Sequence, residues 1–167
     1  MKENNLNVGV FTASLLNKVN QPILNWDLGA KTGKGFFSTH HSCAYLELKI
    51  YKAVSEKYEY SKVIWNAPDT EIIKYHESYK SEVENALIFF TKYISALRGE
   101  SIELTFEVND ATFDFTSHRF NPFEKAAIYA IINCFDGEEE PKYRQGNIQT
   151  LKGNLKRQFE YDTQLRK

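Results

Sequence analysis

Two stretches of the chain hold residue types that do chemistry. The first is GAKTGKG, residues 29–35, where Lys31 and Lys34 sit among glycines. A phosphate-gripping loop needs Gly, four residues, Gly-Lys and then Ser or Thr, because backbone amides cradle the phosphates and the hydroxyl holds magnesium. Here only three residues separate Gly29 from Gly33, and Gly35 stands where the hydroxyl belongs. Such a loop also lies between a strand and a helix, whereas the strand-like run CAYLELKI follows this one. No nucleotide site is expected. A flexible basic loop is, with Lys31 and Lys34 supplying charge and the glycines allowing close approach to a surface.

The second stretch is THHSC, residues 39–43, with His40, His41 and Cys43. Neighbouring side chains on a strand point to opposite faces, so His41 and Cys43 share a face and His40 does not. Two soft ligands fall short of the three or four that zinc takes, and His118 is the third that folding would have to bring in. A thiol nucleophile needs a base and an orienting third group, and none is legible beside Cys43. The carboxylates Glu103 and Glu107 lie on the outer face of a strand pattern, where they serve solubility. The expectation is a non-enzymatic protein with no metal or cofactor. Tyr45, Tyr58, Tyr60 and Trp65 form either a stacking surface for single-stranded RNA or, as we favour, cross-strand packing.

These residues need a frame, and 167 residues suffice for one domain with a real core. Composition is ordinary for a globular chain, 42% hydrophobic and 26% charged, with 12 Phe and 10 Tyr. The formal charge of −1 argues against a protein that is basic overall, but its distribution is uneven. Residues 141–167 carry seven basic side chains against two acidic ones, which leaves the body acidic. A basic tail of this kind serves RNA or a membrane surface, or it is a solvated helix packed on the body. Two cysteines 91 positions apart give neither a disulfide framework nor zinc spacing. There is no signal pattern and no membrane-length apolar run, so a cytoplasmic protein without a membrane partner is expected.

Periodicity supplies the elements. LNVGVFTASLL is read as an N-terminal strand. CAYLELKIY alternates Ala44, Leu46, Leu48 and Ile50 on one face, and the tyrosine-rich KYEYSKVIW is a second strand. Val83, Leu87, Phe90, Ile94 and Leu97 make one helical stripe, closed by Gly99. In SIELTFEV, Ile102, Leu104, Phe106 and Val108 face the core while Ser101, Glu103, Thr105 and Glu107 face out. Asn109-Asp110 is read as a turn before the short strand ATFDFT. A last helix starts with Asn121 as N-cap, Pro122 at the first position and Glu124 completing the box. Its buried face is Phe123, Ala126, Ala127, Ala130, Ile131 and Cys134. The order strand, strand, helix, strand, strand, helix gives an α+β domain with its helices on one face of a sheet.

The run from Tyr79 to Ala127 resembles domain IV of translation elongation factor G and its relatives. Tyr79 followed by Val83-Glu84 opens the helix, IELTFEVND is the alternating strand ending in Asp, and Asp110-Ala111-Thr112-Phe113 is the Asp-to-aromatic stretch. Phe123 and Ala126 then mark the alanine-packed helix, and GKGFFSTHHSCAYLEL resembles the glycine-rich loop leading into the first strand. Asp114 stands where that family carries a His, and the next His is His118.

The resemblance implies a two-layer α/β sandwich of the ribosomal protein S-five domain-two-like type, with a left-handed βαβ crossover. It divides the chain into an N-terminal strand and glycine-rich basic loop (1–35), a domain-IV-like core (36–137), and a charged linker with a basic C-terminal helix (138–167). It implies contact with ribosomal RNA or the small ribosomal subunit through tip loops bearing Lys31, Lys34, His40, His41, Asp114, His118 and Arg119. The competing expectation is a protein-interaction module, of inhibitor or immunity type, that kept this fold without the ribosomal role.

Overall fold

The computed structural model describes residues 13–38, 42–54, 61–67, 77–115 and 122–136. Helical backbone runs from residue 13 to residue 24, through a 3-10 turn at Asn17–Val19 and the short helix α1, Asn20–Leu24. The strands are β1 (Lys31–Ser38), β2 (Ser42–Lys52), β3 (Lys62–Trp65) and β4 (Leu104–Phe115). The long helices are α2 (Glu77–Arg98) and α3 (Pro122–Asp136). The strands form one sheet in the order β1-β2-β4-β3. β1 and β2 pair antiparallel, as do β2 and β4, while β3 runs parallel to β4. That parallel pair is bridged by α2, so a βαβ crossover is present where one was expected. The fold is α+β in two layers.

The alternation in β2 and β4 decides which face the helices cover. Ala44, Leu46, Leu48 and Ile50 are buried, and Leu104, Phe106 and Val108 stand beside them on β4. Val83, Leu87, Phe90 and Ile94 of α2 close the core from above. Each large side chain so buried contributes about 1.5–3 kcal/mol. α2 ends at Gly99, whose φ of +68° is the left-handed cap that suits glycine. α3 is buried on more than its expected stripe. Ile128 and Ile132 are covered as well, because the helix lies between the sheet on one side and α2 with the N-terminal helical segment on others.

Three sequence expectations are corrected. The basic stretch at residues 31–35 is not a loop but the first half of β1, a regular strand paired residue for residue with β2. Its glycines serve the helix layer: a methyl on Gly33 or Gly35 would overlap the backbone of α3 at Ala130 or Ala126. Asn109-Asp110 is not a turn, since β4 runs through it unbroken. Glu47 opposes Asp110 and Leu48 opposes Val108, so Asn109 is the extra residue of a bulge. The bulge shifts the phase of the strand, which places Ala111 in the core and turns Asp110 away from it. The N-terminal strand is replaced, from residue 13 onward, by helix; residues 6–12 of that expectation lie outside the described residues.

The N-terminal segment plugs the far end of the helix pair. Leu16, Val19, Ile23 and Trp26 are buried there, and the Trp26 ring meets Phe135 edge-on at 5.3 Å. The Tyr93 hydroxyl lies 3.0 Å from Asn17 Oδ1 and 2.5 Å from Asn20 Oδ1. Arg98 donates to the Trp26 carbonyl at 2.7 Å.

Candidate functional site

One end of the sheet gathers most of the expected contact residues. β1 ends at Ser38, which pairs with Cys43 near the start of β2, and Ser42 opposes Phe115 at the end of β4. α3 begins a few residues later at Pro122. The β1–β2 and β4–α3 connections therefore leave from the same end. His40 and His41 belong to the first connection, and His118 and Arg119 to the second; all four lie outside the described residues. Asp114 is on β4, paired in register with Cys43.

The first turns of both long helices come to this end too. Trp65, the last residue of β3, donates through Nε1 to Glu84 of α2 at 3.0 Å, and Lys80 Nζ lies 5.3 Å from the Trp65 ring centroid. On α3, Lys125 Nζ lies 4.6 Å over the ring of Phe37, which stacks on Tyr129 at 6.2 Å. Helix N-termini carry partial positive charge that favours anions. Protein carboxylates already occupy part of that field. Burial raises the carboxyls of Glu124 and Glu82 above the usual carboxylate range, and the charge of Glu124 raises Glu82 further.

Lys31 and Lys34 do not belong to this end. Lys31 pairs with Ile50, about 24 Å along the strand from Ser38 at a rise near 3.4 Å per residue. Its ammonium lies 5.6 Å from the Phe135 ring centroid, beside the terminus of α3. Lys34 stands midway along β1 on the sheet face that none of the described helices covers, where its ammonium pairs with Glu47 at 3.2 Å. Its carbonyl accepts a hydrogen bond from Asn133 Nδ2 at 2.6 Å. Of the expected contact residues that are described, Asp114 lies at this sheet end and the two lysines lie apart from it.

The same face holds polar side chains that pair with one another along and across the strands. Tyr45 donates through its hydroxyl to Glu47, and Tyr51 donates to Glu107 at 2.7 Å. Lys49 adds an ion pair to Glu107 at 3.4 Å and lies 5.2 Å from the Tyr51 ring centroid. The Tyr51 hydrogen bond, with help from Lys49, holds the Glu107 carboxyl below its ordinary range and raises the Tyr51 phenol. Glu107 is thus a hydrogen-bonded cross-strand partner and not merely a solubilising charge. Glu103 is likewise engaged, accepting from the Ser61 amide and hydroxyl at 2.6 Å each. The signal was available in the alternation of β2: if residues 44, 46, 48 and 50 face in, Tyr45, Glu47, Lys49 and Tyr51 must share the other face. Tyr45 and Trp65 face opposite sides of the sheet, so they form no common stacking surface, while Tyr58 and Tyr60 lie outside the described residues.

Neither cysteine is in a disulfide. Cys134 is buried beneath Gly33, and burial pushes its thiol up to about 12, which makes it a poor nucleophile at neutral pH. Among the described residues no group of three or more His, Cys, Asp and Glu is placed to hold a metal ion, and no helix is long and apolar enough to cross a membrane. No protein-family model, curated protein or solved structure matches this chain.

Proposed function

We propose that this chain is a cytoplasmic, non-enzymatic binding module of the elongation-factor-G domain-IV type, which engages ribosomal RNA of the small subunit through one end of its sheet. The supporting observation is the convergence there of the β1–β2 connection, the β4–α3 connection and the first turns of α2 and α3. His40, His41, His118 and Arg119 belong to those two connections, so the residues suited to phosphate and base contacts come from adjoining segments. Lys31 and Lys34 are not part of this surface. The absence of disulfides at Cys43 and Cys134 fits a reducing compartment.

A second reading is carried by the acidic groups at the same end. Glu82 and Glu84 lie in the N-terminal half of α2, Glu124 in the first turn of α3 and Asp114 on β4, and these repel phosphates. They suit a basic protein partner instead.

Co-sedimentation with purified small ribosomal subunits at low and moderate salt separates the two. RNA contact predicts pelleting at low salt that weakens steeply as salt rises, because counterions are released from the phosphates, and that Arg119→Ala reduces. An absence of pelleting at low salt would sink the RNA reading and leave the protein partner.

A further inference from the structure

β1 and β3 are the edges of the sheet, and among the described residues no strand pairs with the outer side of β1. Such an edge leaves a row of amides and carbonyls open to another strand, and β1 offers eight residues of it. The register with β2 is unbroken from Lys31 to Ser38. Successive residues of β1 therefore turn their backbone groups alternately toward β2 and away from it. Asn133 of α3 shows which residues face away. Its Nδ2 donates to the Lys34 carbonyl at 2.6 Å, in a solvent-exposed hydrogen bond. A carbonyl aimed at β2 lies inside the ladder, whereas one that a helix side chain reaches at the exposed rim is aimed outward. The amide and carbonyl of a strand residue point the same way. Thr32, Lys34 and Phe36 thus present the outer row, while Gly33 and Gly35 bond to β2.

We propose that Asn133 caps this edge against pairing with the β1 edge of a second copy of the chain. When two such edges meet antiparallel about Lys34, the two Lys34 residues exchange amide-to-carbonyl bonds, and Thr32 of each copy opposes Phe36 of the other. Asn133 holds the Lys34 carbonyl in both copies, so both caps break before the central pair forms. The donor is fixed chemically, because a carbonyl only accepts and the side-chain amide nitrogen must face it. The Lys34 ammonium is already paired with Glu47, so the cap and not charge guards the edge. The glycines place the cap. Without a Cβ on Gly33 or Gly35, the α3 backbone rests directly on β1, which brings Asn133 within reach of the rim. GAKTGKG therefore supplies the guarded carbonyl and the close approach together. The inference goes beyond the RNA reading, since it concerns self-association and holds for either partner class.

Sedimentation velocity of the full chain over a range of concentrations tests this, with Asn133→Ala as the variant. Alanine suits a helix better than asparagine, so the variant keeps α3. Asn133→Ala is expected to strengthen self-association about tenfold or more, because each dimer of the unaltered chain must break two caps. Hydrogen exchange reads the same edge residue by residue and needs no variant. In the dilute unaltered chain the amides of Thr32, Lys34 and Phe36 exchange fast and those of Gly33 and Gly35 slowly. In Asn133→Ala the first three become protected as concentration rises. Equal association of the two proteins would overturn the proposal, as would association of the variant that leaves those three amides unprotected. Slow exchange of the three in the dilute unaltered chain would also overturn it, since another segment would then already hold the edge.

Discussion

Gly35 of β1 and Ala126 of α3 meet backbone to backbone: a methyl on Gly35 would overlap the Ala126 carbonyl and lie 2.5 Å from the Ala130 amide nitrogen. Gly33 repeats the contact one turn along, with the Cys134 nitrogen 2.7 Å from its would-be methyl. The glycines and the facing alanines together set how closely the helix layer rests on the edge strand. Gly35→Ala must displace helix backbone, and overpacking of that kind costs about 1–3 kcal/mol or more. A urea-unfolding midpoint lowered for Gly35→Ala and Gly33→Ala, but scarcely for Gly29→Ala, is the expected outcome. At Gly29 the nearest atoms belong to the movable Asp27 carboxylate.

The Tyr51–Glu107–Lys49 cluster predicts a pH dependence at the acid end. Because the folded protein holds the Glu107 carboxyl below its ordinary value, its contribution is complete above about pH 4.3, the unfolded carboxyl's range. It is lost as pH falls through the depressed folded value. Tyr51→Phe removes the principal cause, so carbon-detected titration should show the Glu107 carboxyl moving up, with a stability loss of about 1 kcal/mol near neutrality.

Glu82 and Glu124 act in the opposite sense. Their folded carboxyls are raised, Glu124 by burial and Glu82 by burial and by Glu124. The folded protein then binds more protons than the unfolded chain between the ordinary and the raised values, so stability falls as pH rises through that window. Above it the ionised pair is a standing cost. Glu124→Gln is expected to raise the thermal midpoint at pH 7 by a small margin, both groups being partly exposed. It should also flatten the pH profile between mildly acidic and neutral conditions.

Glu103 ties the start of β3 to the approach to β4. It accepts from both the amide and the hydroxyl of Ser61, and that hydroxyl oxygen in turn accepts from the Leu104 amide at 3.0 Å. Glu103→Ala leaves these donors unsatisfied at about 1–3 kcal/mol. Hydrogen exchange should then quicken at residues 61–65, the short edge strand, while β2 keeps its protection.

Much of the frame was written in local pattern. The alternation of Ile102, Leu104, Phe106 and Val108 and the stripe of Val83, Leu87, Phe90 and Ile94 named the core, because a buried face must repeat with the period of its element. Gly99 and Pro122 marked a helix end and a helix start on conformational grounds alone. So the sequence by itself determined the α+β class, the two long helices and the inward residues of β2 and β4. Only the tertiary structure decided what the glycines of GAKTGKG are for. A glycine that admits another backbone and a glycine that loosens a loop look alike in sequence, and the difference lies in α3, about 90 residues away. The same holds for Asn109-Asp110. A turn and a bulge use the same residues, and the pairing with Glu47 and Leu48, a contact between distant segments, chose the bulge. Tertiary pairing also set Lys34 against Glu47 and carried Lys31 to the far end of β1, separating charges that adjacency in sequence had joined.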